Sequence, residues 1–469
     1  MRPKKVLSVF SLVMINIIAV DSLRTLPISA KLGLPLVTYY AVAAFTFFIP
    51  VALVAAELAT AYPNTGGLYV WVREAFGRRA GFITIWLQWI YNVVWYPTIL
   101  AFIAATLSYL FAPQLANNKF YLLGTTLSLF WIFTLLNCFG MKISSIVSII
   151  GATLGTILPM VGISILGVLW LLQGRPLAVD MPSNWLPDFS SIGNLSLFSA
   201  VLFGLLGMEM SAVHAEEVKN PQRDYPRAIL YSALLIFATL VFGSLAIVIV
   251  VPNPQLSVVS GLIDAYAVFF NAYNLPKMTA VIALLIILGG LSGVSAWIIG
   301  PTKGLLVSAQ DGSLPEIFSK INRYGAPVAI LMTQGIIFSL LSSVFILFDS
   351  INAAYWILSD LSAQMALLVY VFMFSAAIKL RYSKPDQPRS YKIPGGNAVM
   401  WLVAGVGTLC CITAMLIGFV PPTQIPISNI FFFEAFLIGG LFLFVVIPWW
   451  FAKKHEEVFD KTHPDHYVD

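Results

Sequence analysis

The chemistry this chain has to offer lies in charged side chains set inside apolar runs. Asp21 and Arg24 interrupt the first run, Glu209 follows Gly204 and Gly207 inside a later one, and Glu57 and Asp360 sit in two more. A carboxylate near the centre of a bilayer costs roughly 2.5–3.5 kcal/mol on insertion scales. Nearby glycines weaken the very helix that must satisfy its own backbone there. A broken helix is tolerated at that depth only where the freed amides and carbonyls face protein, water or a ligand. Phe203, Gly204, Gly207 and Glu209 therefore read as half of a binding site. Asp21, Ser22, Leu23, Arg24 and Thr25, followed by Pro27, read as the other half.

Two readings of the first half stand side by side. Asp21 and Arg24 are spaced i,i+3, so they would neutralise each other across one helical turn. Alternatively the helix unwinds here and its second part offers free amides and a positive dipole end to a substrate carboxylate. A charged Arg24 would suit a carboxylate or carbonyl on the substrate, and Asp21 would suit a cation.

The elements that must hold these residues follow from composition. Of the 469 residues, 59% are apolar and 10% charged, where a soluble domain carries roughly 25% charge. This is the composition of an all-α polytopic membrane protein, long enough for about 12 transmembrane helices. Lys and Arg collect in alternate breaks between the apolar runs. Of the 26, only Lys31, Lys119, Arg175 and Lys277 fall on the opposite side, and Arg24 falls within the membrane. Both termini are thus expected in the cytoplasm. The net charge of +5 belongs to the inner membrane surface and implies no nucleic acid. Cys138, Cys410 and Cys411 all lie in apolar runs and suggest no disulfide framework.

The two breaks fall at matching depths in their runs, the sequence pointer to an inverted-repeat transporter with its site at the midplane. The expected units are helices 1–5 over 1–173, helices 6–10 over 194–378, helices 11 and 12 over 397–451, and a short cytosolic tail, 452–469. In helix 3, Gln88 and Asn92 are i,i+4 and form a polar stripe beside Trp89 and Trp95, suited to a pathway wall or to helix-to-helix hydrogen bonding. Helix 8 has a small face at Gly289, Gly290, Ser292 and Gly293, for close packing or for a sodium ion. Trp297, one turn on, is a candidate gate ring. Helix 10 places Tyr355 and Asp360 on a polar face expected to turn inward. Glu57 and His214 are the candidates for proton sensing, Glu57 alternatively as a structural acceptor and His214 as an interfacial histidine. The tail of helix 2, from Tyr69 to Arg79, reads as a helix lying at the cytosolic interface, and 259–272 as a short helix over the outer vestibule.

Four stretches carry a family resemblance: HAEEVKNPQRDYPRAI from His214, AELATAYPNTGGLYVWVREAFG over 56–77, GPTKGLLVSAQDGSLPEIFSKINRYGAPV over 300–328, and LRYSKPDQPRSYKIPGG over 380–396. They resemble the amino acid–polyamine–organocation (APC) transporter superfamily, and most closely its bacterial glutamate/γ-aminobutyrate antiporters. The resemblance implies a LeuT-like 5+5 inverted repeat with discontinuous helices 1 and 6. It also implies secondary active transport of an amino acid across the inner membrane. The chain departs from the family in three places. Asp21–Arg24 replaces a glycine-rich phrase, Gly293 stands where the antiporters carry an acid, and helix 5 has no interior lysine. That last absence favours exchange over obligatory lysine-driven proton symport.

No nucleophile elbow, phosphate loop or metal-ligand spacing is present, so no enzyme, cofactor or bound metal is expected. The expected partners are a small-molecule amino acid and the lipid bilayer, with the protein a monomer or homodimer. Proton- or sodium-coupled symport is the alternative mode. A non-transporting amino-acid sensor and a membrane enzyme are more distant readings.

Overall fold

The structure, a computed structural model, describes residues 8–62, 67–139, 151, 153–179, 184–209, 218 and 220–462. His214 lies outside the described residues. All regular elements among the described residues that follow are helices. In chain order they are α1 (Val9–Val20), α2 (Thr25–Ala30), α3 (Leu36–Ala61), α4 (Leu68–Phe76), α5 (Arg78–Ser108), α6 (Lys119–Cys138), α7 (Thr153–Leu172), α8 (Phe198–Phe203), α9 (Pro221–Val250), α10 (Gly261–Ala272), α11 (Met278–Gln310), α12 (Val328–Leu347), α13 (Ile351–Ser383), α14 (Gly396–Gly418) and α15 (Ile430–Thr462).

Ten helices among the described residues are long and apolar enough to cross a membrane: α3, α5, α6, α7, α9, α11, α12, α13, α14 and α15. The two expected spans missing from that set begin near residues 6 and 194. They are the two that carry mid-helix breaks. The helix starts follow local chemistry: Asn118 accepts from the amides of Phe120 and Tyr121 at the head of α6, and Ser350 from Ala353 at the head of α13. Each satisfies amides that a helix N-terminus leaves without partners.

Burial separates centre from rim. The apolar window of α5 is 94% buried, whereas that of α15 is 11% buried, so α5 is the core column and α15 faces outward. Leu409, Leu416, Phe431 and Phe442 are exposed on α14 and α15, as a lipid-facing rim requires, because lipid rewards an apolar surface that water would penalise. Within the bundle, α7 and α11 meet backbone to backbone: a Cβ on Gly155 would lie 2.2 Å from the Gly289 nitrogen. The small face of helix 8 is therefore a packing surface at this point.

At the end of the bundle expected to be cytosolic, α3 is bolted to α13. Arg381 Nε donates to Glu57 Oε1 at 2.6 Å, and its Nη2 to Oε2. Arg389 Nε lies 3.4 Å from Oε1, and the Ile393 amide donates to Oε2 at 2.8 Å. Glu57 is thus engaged by two guanidiniums and an amide, the arrangement of a structural tie. These contacts are those of a structural acceptor, one of the two readings open for Glu57. The amphipathic α4 lies beside it, with Arg73 Nη1 2.9 Å from Asp311 Oδ2 and the Tyr69 hydroxyl donating to the same oxygen at 2.6 Å. Burial first, then Asp311, pushes the Tyr69 hydroxyl up to about 12. The short outer helix expected over 259–272 is α10.

Candidate functional site: a central cavity between two broken helices

The chain leaves α1 at Val20 and regains helical form at Thr25. Asp21 is extended, with φ −65° and ψ 121°, and its amide still donates to the Ile17 carbonyl. The amides of Ser22, Leu23 and Arg24 have no backbone acceptor among the described residues. Thr25 Oγ1 closes the turn by donating to the Ser22 carbonyl at 2.6 Å.

Asp21 and Arg24 do not pair. Residues 21–24 are not helical, so i,i+3 spacing no longer places them on one face. Asp21 turns toward α9 and accepts from Thr239 Oγ1 at 3.1 Å. Arg24 turns the other way, 3% exposed. Its Nη1 donates to the Tyr355 hydroxyl at 3.1 Å. The Cζ sits 5.4 Å from the Trp95 ring centroid and 5.2 Å from that of Phe203. Such contacts stabilise a cation by about 0.5–2 kcal/mol each. They carry no negative charge, and Arg24 Nε has no partner.

The second break mirrors the first. α8 ends at Phe203, Gly204 and Leu205 form a turn, and helical geometry returns at Met208 and Glu209. Gly207 has φ +118°, and a Cβ there would lie 2.7 Å from the Ala19 carbonyl. Only glycine fits this backbone and this approach, and it fixes the second break against the end of α1. Glu209 accepts from the Tyr370 hydroxyl at 2.6 Å, with its other oxygen unpartnered.

Between the breaks lies a small cavity. Ser22, Arg24 and Thr25 line it from the first break, Phe203 and Gly204 from the second, Asn92 from α5 and Trp297 from α11. Trp297 also meets Trp95 edge-on at 6.3 Å. Tyr355 stands behind Arg24.

Other expected site residues lie apart from this lining. Gln88 gives its carbonyl to Asn92 Nδ2 at 2.7 Å. Trp89 points to α12, donating from Nε1 to Gln334 Oε1 at 3.1 Å, and does not line this cavity. Asp21, Leu23, Gly207 and Glu209 flank the cavity without lining it. Asp360 sits in a separate buried cluster between α8, α13 and α14. Of the lining residues, Ala19, Val20, Tyr91 and Leu206 were not anticipated, and Trp95 was read only as a neighbour of the polar stripe. The signal was present: Trp95 follows Asn92 by three positions and Tyr91 follows Gln88 by three, which puts all four on neighbouring helical rows.

Broken helices meeting at a central cavity inside a bundle of membrane-spanning helices define the class, a polytopic membrane carrier. Comparison with known proteins gives the family: a family model described as amino acid permease matches residues 5–443, and the chain belongs to that family. The chain is 80% identical over 454 residues to a protein of Legionella pneumophila named as an uncharacterized transporter, covering 97% of this chain and 98% of that one. It is 30% identical over 466 residues to a glutamate/gamma-aminobutyrate antiporter of Lactococcus lactis subsp. lactis, covering 97% and 92%. A probable agmatine/putrescine antiporter of the same organism is 25% identical over 419 residues, covering 89% of each. The protein is accordingly a multi-pass membrane transporter of amino acids, a small-molecule carrier in lipid and no enzyme.

Proposed function

We propose that this protein exchanges amino acids across the bacterial inner membrane by alternating access around the central cavity. The observation that carries the reading is Arg24: a buried cation at the helix break, cradled by aromatic rings, with an unpartnered Nε and no anion among the described residues. A buried charge without a counter-ion is strongly unfavourable, and a substrate carboxylate supplies the missing partner. The free amides of Ser22 to Arg24 add donors beside it. The substrate ammonium then rests on the carbonyls around Phe203 to Gly207, while Asn92, Tyr91 and Trp297 face its side chain.

Twelve spans complete this reading, the two broken helices added to the ten continuous ones, with repeats over 1–173 and 194–378, helices 11 and 12 over 397–451 and a tail at 452–469. Both termini face the cytoplasm, as the Lys and Arg distribution indicates. Exchange is favoured by the antiporter names of the relatives at 30% and 25% identity.

Counterflow in proteoliposomes tests the proposal. Vesicles are loaded with single unlabelled amino acids, labelled ones are added outside, and membrane potential and proton gradient are clamped at zero. Labelled uptake that requires an internal amino acid is the expected result. Uptake into empty vesicles only under an imposed proton or sodium gradient would replace exchange by symport.

A further inference from the structure

Four buried carboxylates among the described residues lie outside the cavity lining: Glu57 in its tie, Asp21 on Thr239, Glu209 on Tyr370, and Asp360. Of the three with neutral partners, Asp360 stands farthest from the two breaks' own backbone, in a cluster of three helices.

Asp360 is 1% exposed on α13. Ser199 Oγ of α8 donates to its Oδ1 at 2.8 Å, with the Ser196 carbonyl as a competing acceptor at 3.0 Å. Oδ2 has no partner. One turn further on α13, the fully buried Gln364 gives its Nε2 to the Met415 carbonyl of α14 at 3.1 Å, which fixes the amide orientation. Gln364 Oε1 then has no partner either. Gly418, the last residue of α14, seals the cluster. A Cβ there would lie 2.3 Å from Gln364 Nε2 and 3.0 Å from Asp360 Oδ1.

The surroundings are hostile to a carboxylate charge. The C-terminal end of α14 brings the negative pole of that helix. Facing Asp360, α8 offers Ser199, α14 offers Gly418, and α13 itself offers Gln364; no titratable or charged side chain acts on it. A metal cation would need a shell of oxygens at this point, and the Gln364 amide nitrogen beside the carboxylate is a donor that opposes one. A proton meets every requirement. On Oδ2 it removes the buried charge and turns an oxygen without a partner into a neutral hydroxyl.

We propose that Asp360 is a proton-binding site, sealed between α8, α13 and α14, that exchanges its proton with water when α8 moves. Ser199, which holds the carboxyl, lies four residues before Phe203, whose ring holds Arg24 across the cavity wall. The same short helix thus touches both sites. Because the group is sealed in this conformation, its proton enters or leaves only from another one, and proton activity then shifts the balance between the two. The link to the carried amino acid rests on the exchange reading above; the proton site itself does not.

The test is infrared difference titration of the purified protein in liposomes, with proton movement followed by a pH dye trapped inside. The expected wild-type result is a carboxylic-acid carbonyl band that titrates with pH and is lost in Asp360→Asn. Removing the Ser199 donor, which favours the ionised form, should raise the midpoint in Ser199→Ala by about one pH unit. Substrate-dependent proton movement should disappear in Asp360→Asn. A band unchanged in Asp360→Asn would overturn the proposal. If that variant does not fold, an unmoved midpoint in Ser199→Ala would overturn it instead. The infrared arm needs no flux, so a failed exchange reading leaves this proposal separately decided.

Discussion

Arg24 concentrates the physics of the site in one side chain. A guanidinium this deep is costly, and its contacts here disperse the charge over two rings and a phenol without neutralising it. An Arg24→Ala variant leaves a bound carboxylate without its cation. Removing one partner of a buried charge pair costs about 2–5 kcal/mol, a loss of roughly 30-fold or more in affinity. Substrate Kd by calorimetry in detergent should show that loss, with the melting temperature unchanged or raised, because an uncompensated buried charge has been removed. Arg24→Lys keeps the charge but not the planar fork that stacks between Trp95 and Phe203, so its Kd should fall between the two. Equal Kd values for all three proteins would remove Arg24 from the site.

Among the elements, the tie between α3 and α13 has the most to lose. Breaking a buried ion pair costs about 3–5 kcal/mol, chiefly through the charge left behind. Glu57→Ala strands both Arg381 and Arg389. Arg381→Ala leaves Glu57 with Arg389 and the Ile393 amide. Thermal unfolding in detergent should therefore rank Glu57→Ala well below Arg381→Ala, and both below the parent. The reverse order would mean that Arg389 is not a working partner. At the α7–α11 contact the constraint is steric: a methyl at Gly155 collides with backbone at Gly289, so Gly155→Ala should also lower the melting temperature. Backbone cannot rotate away as a side chain would.

Across the whole molecule, pH acts on stability through charges outside the membrane. Desolvation pushes the Glu74 carboxyl up, but Lys384 and Arg73 more than offset it, leaving its pKa lowered; Lys384 is raised, first by its hydrogen bond to Glu74. A lowered carboxyl contributes stability that is present above its unfolded value and lost as pH falls through the folded one. A raised ammonium contributes below its unfolded value and loses it as pH rises through the folded one. Between these limits the contribution is constant. The melting-temperature difference between the parent and Glu74→Gln should be flat through neutral pH and vanish in acid. Both partners are partly exposed, so high salt should shrink it.

Composition and periodicity alone determined that the chain is a helical membrane protein, and single residues marked where two of its helices could break. Long apolar runs have no other stable form in lipid, and Asp21–Arg24 and Gly204–Gly207 are local signals written in consecutive residues. The amphipathic α4 and the short α10 were legible for the same reason. Tertiary structure alone decided which way each polar side chain turns. Spacing on an ideal helix makes Asp21 and Arg24 neighbours, and the break, the other of the two readings open for them, sends them to opposite sides. Glu57 stood open between sensor and structural acceptor because its two arginines lie more than three hundred residues away in sequence. Trp89 and Trp95 looked alike within one stripe, yet one faces α12 and the other Arg24. Helical rotation and long-range packing set those directions, and neither is encoded in the residues nearby.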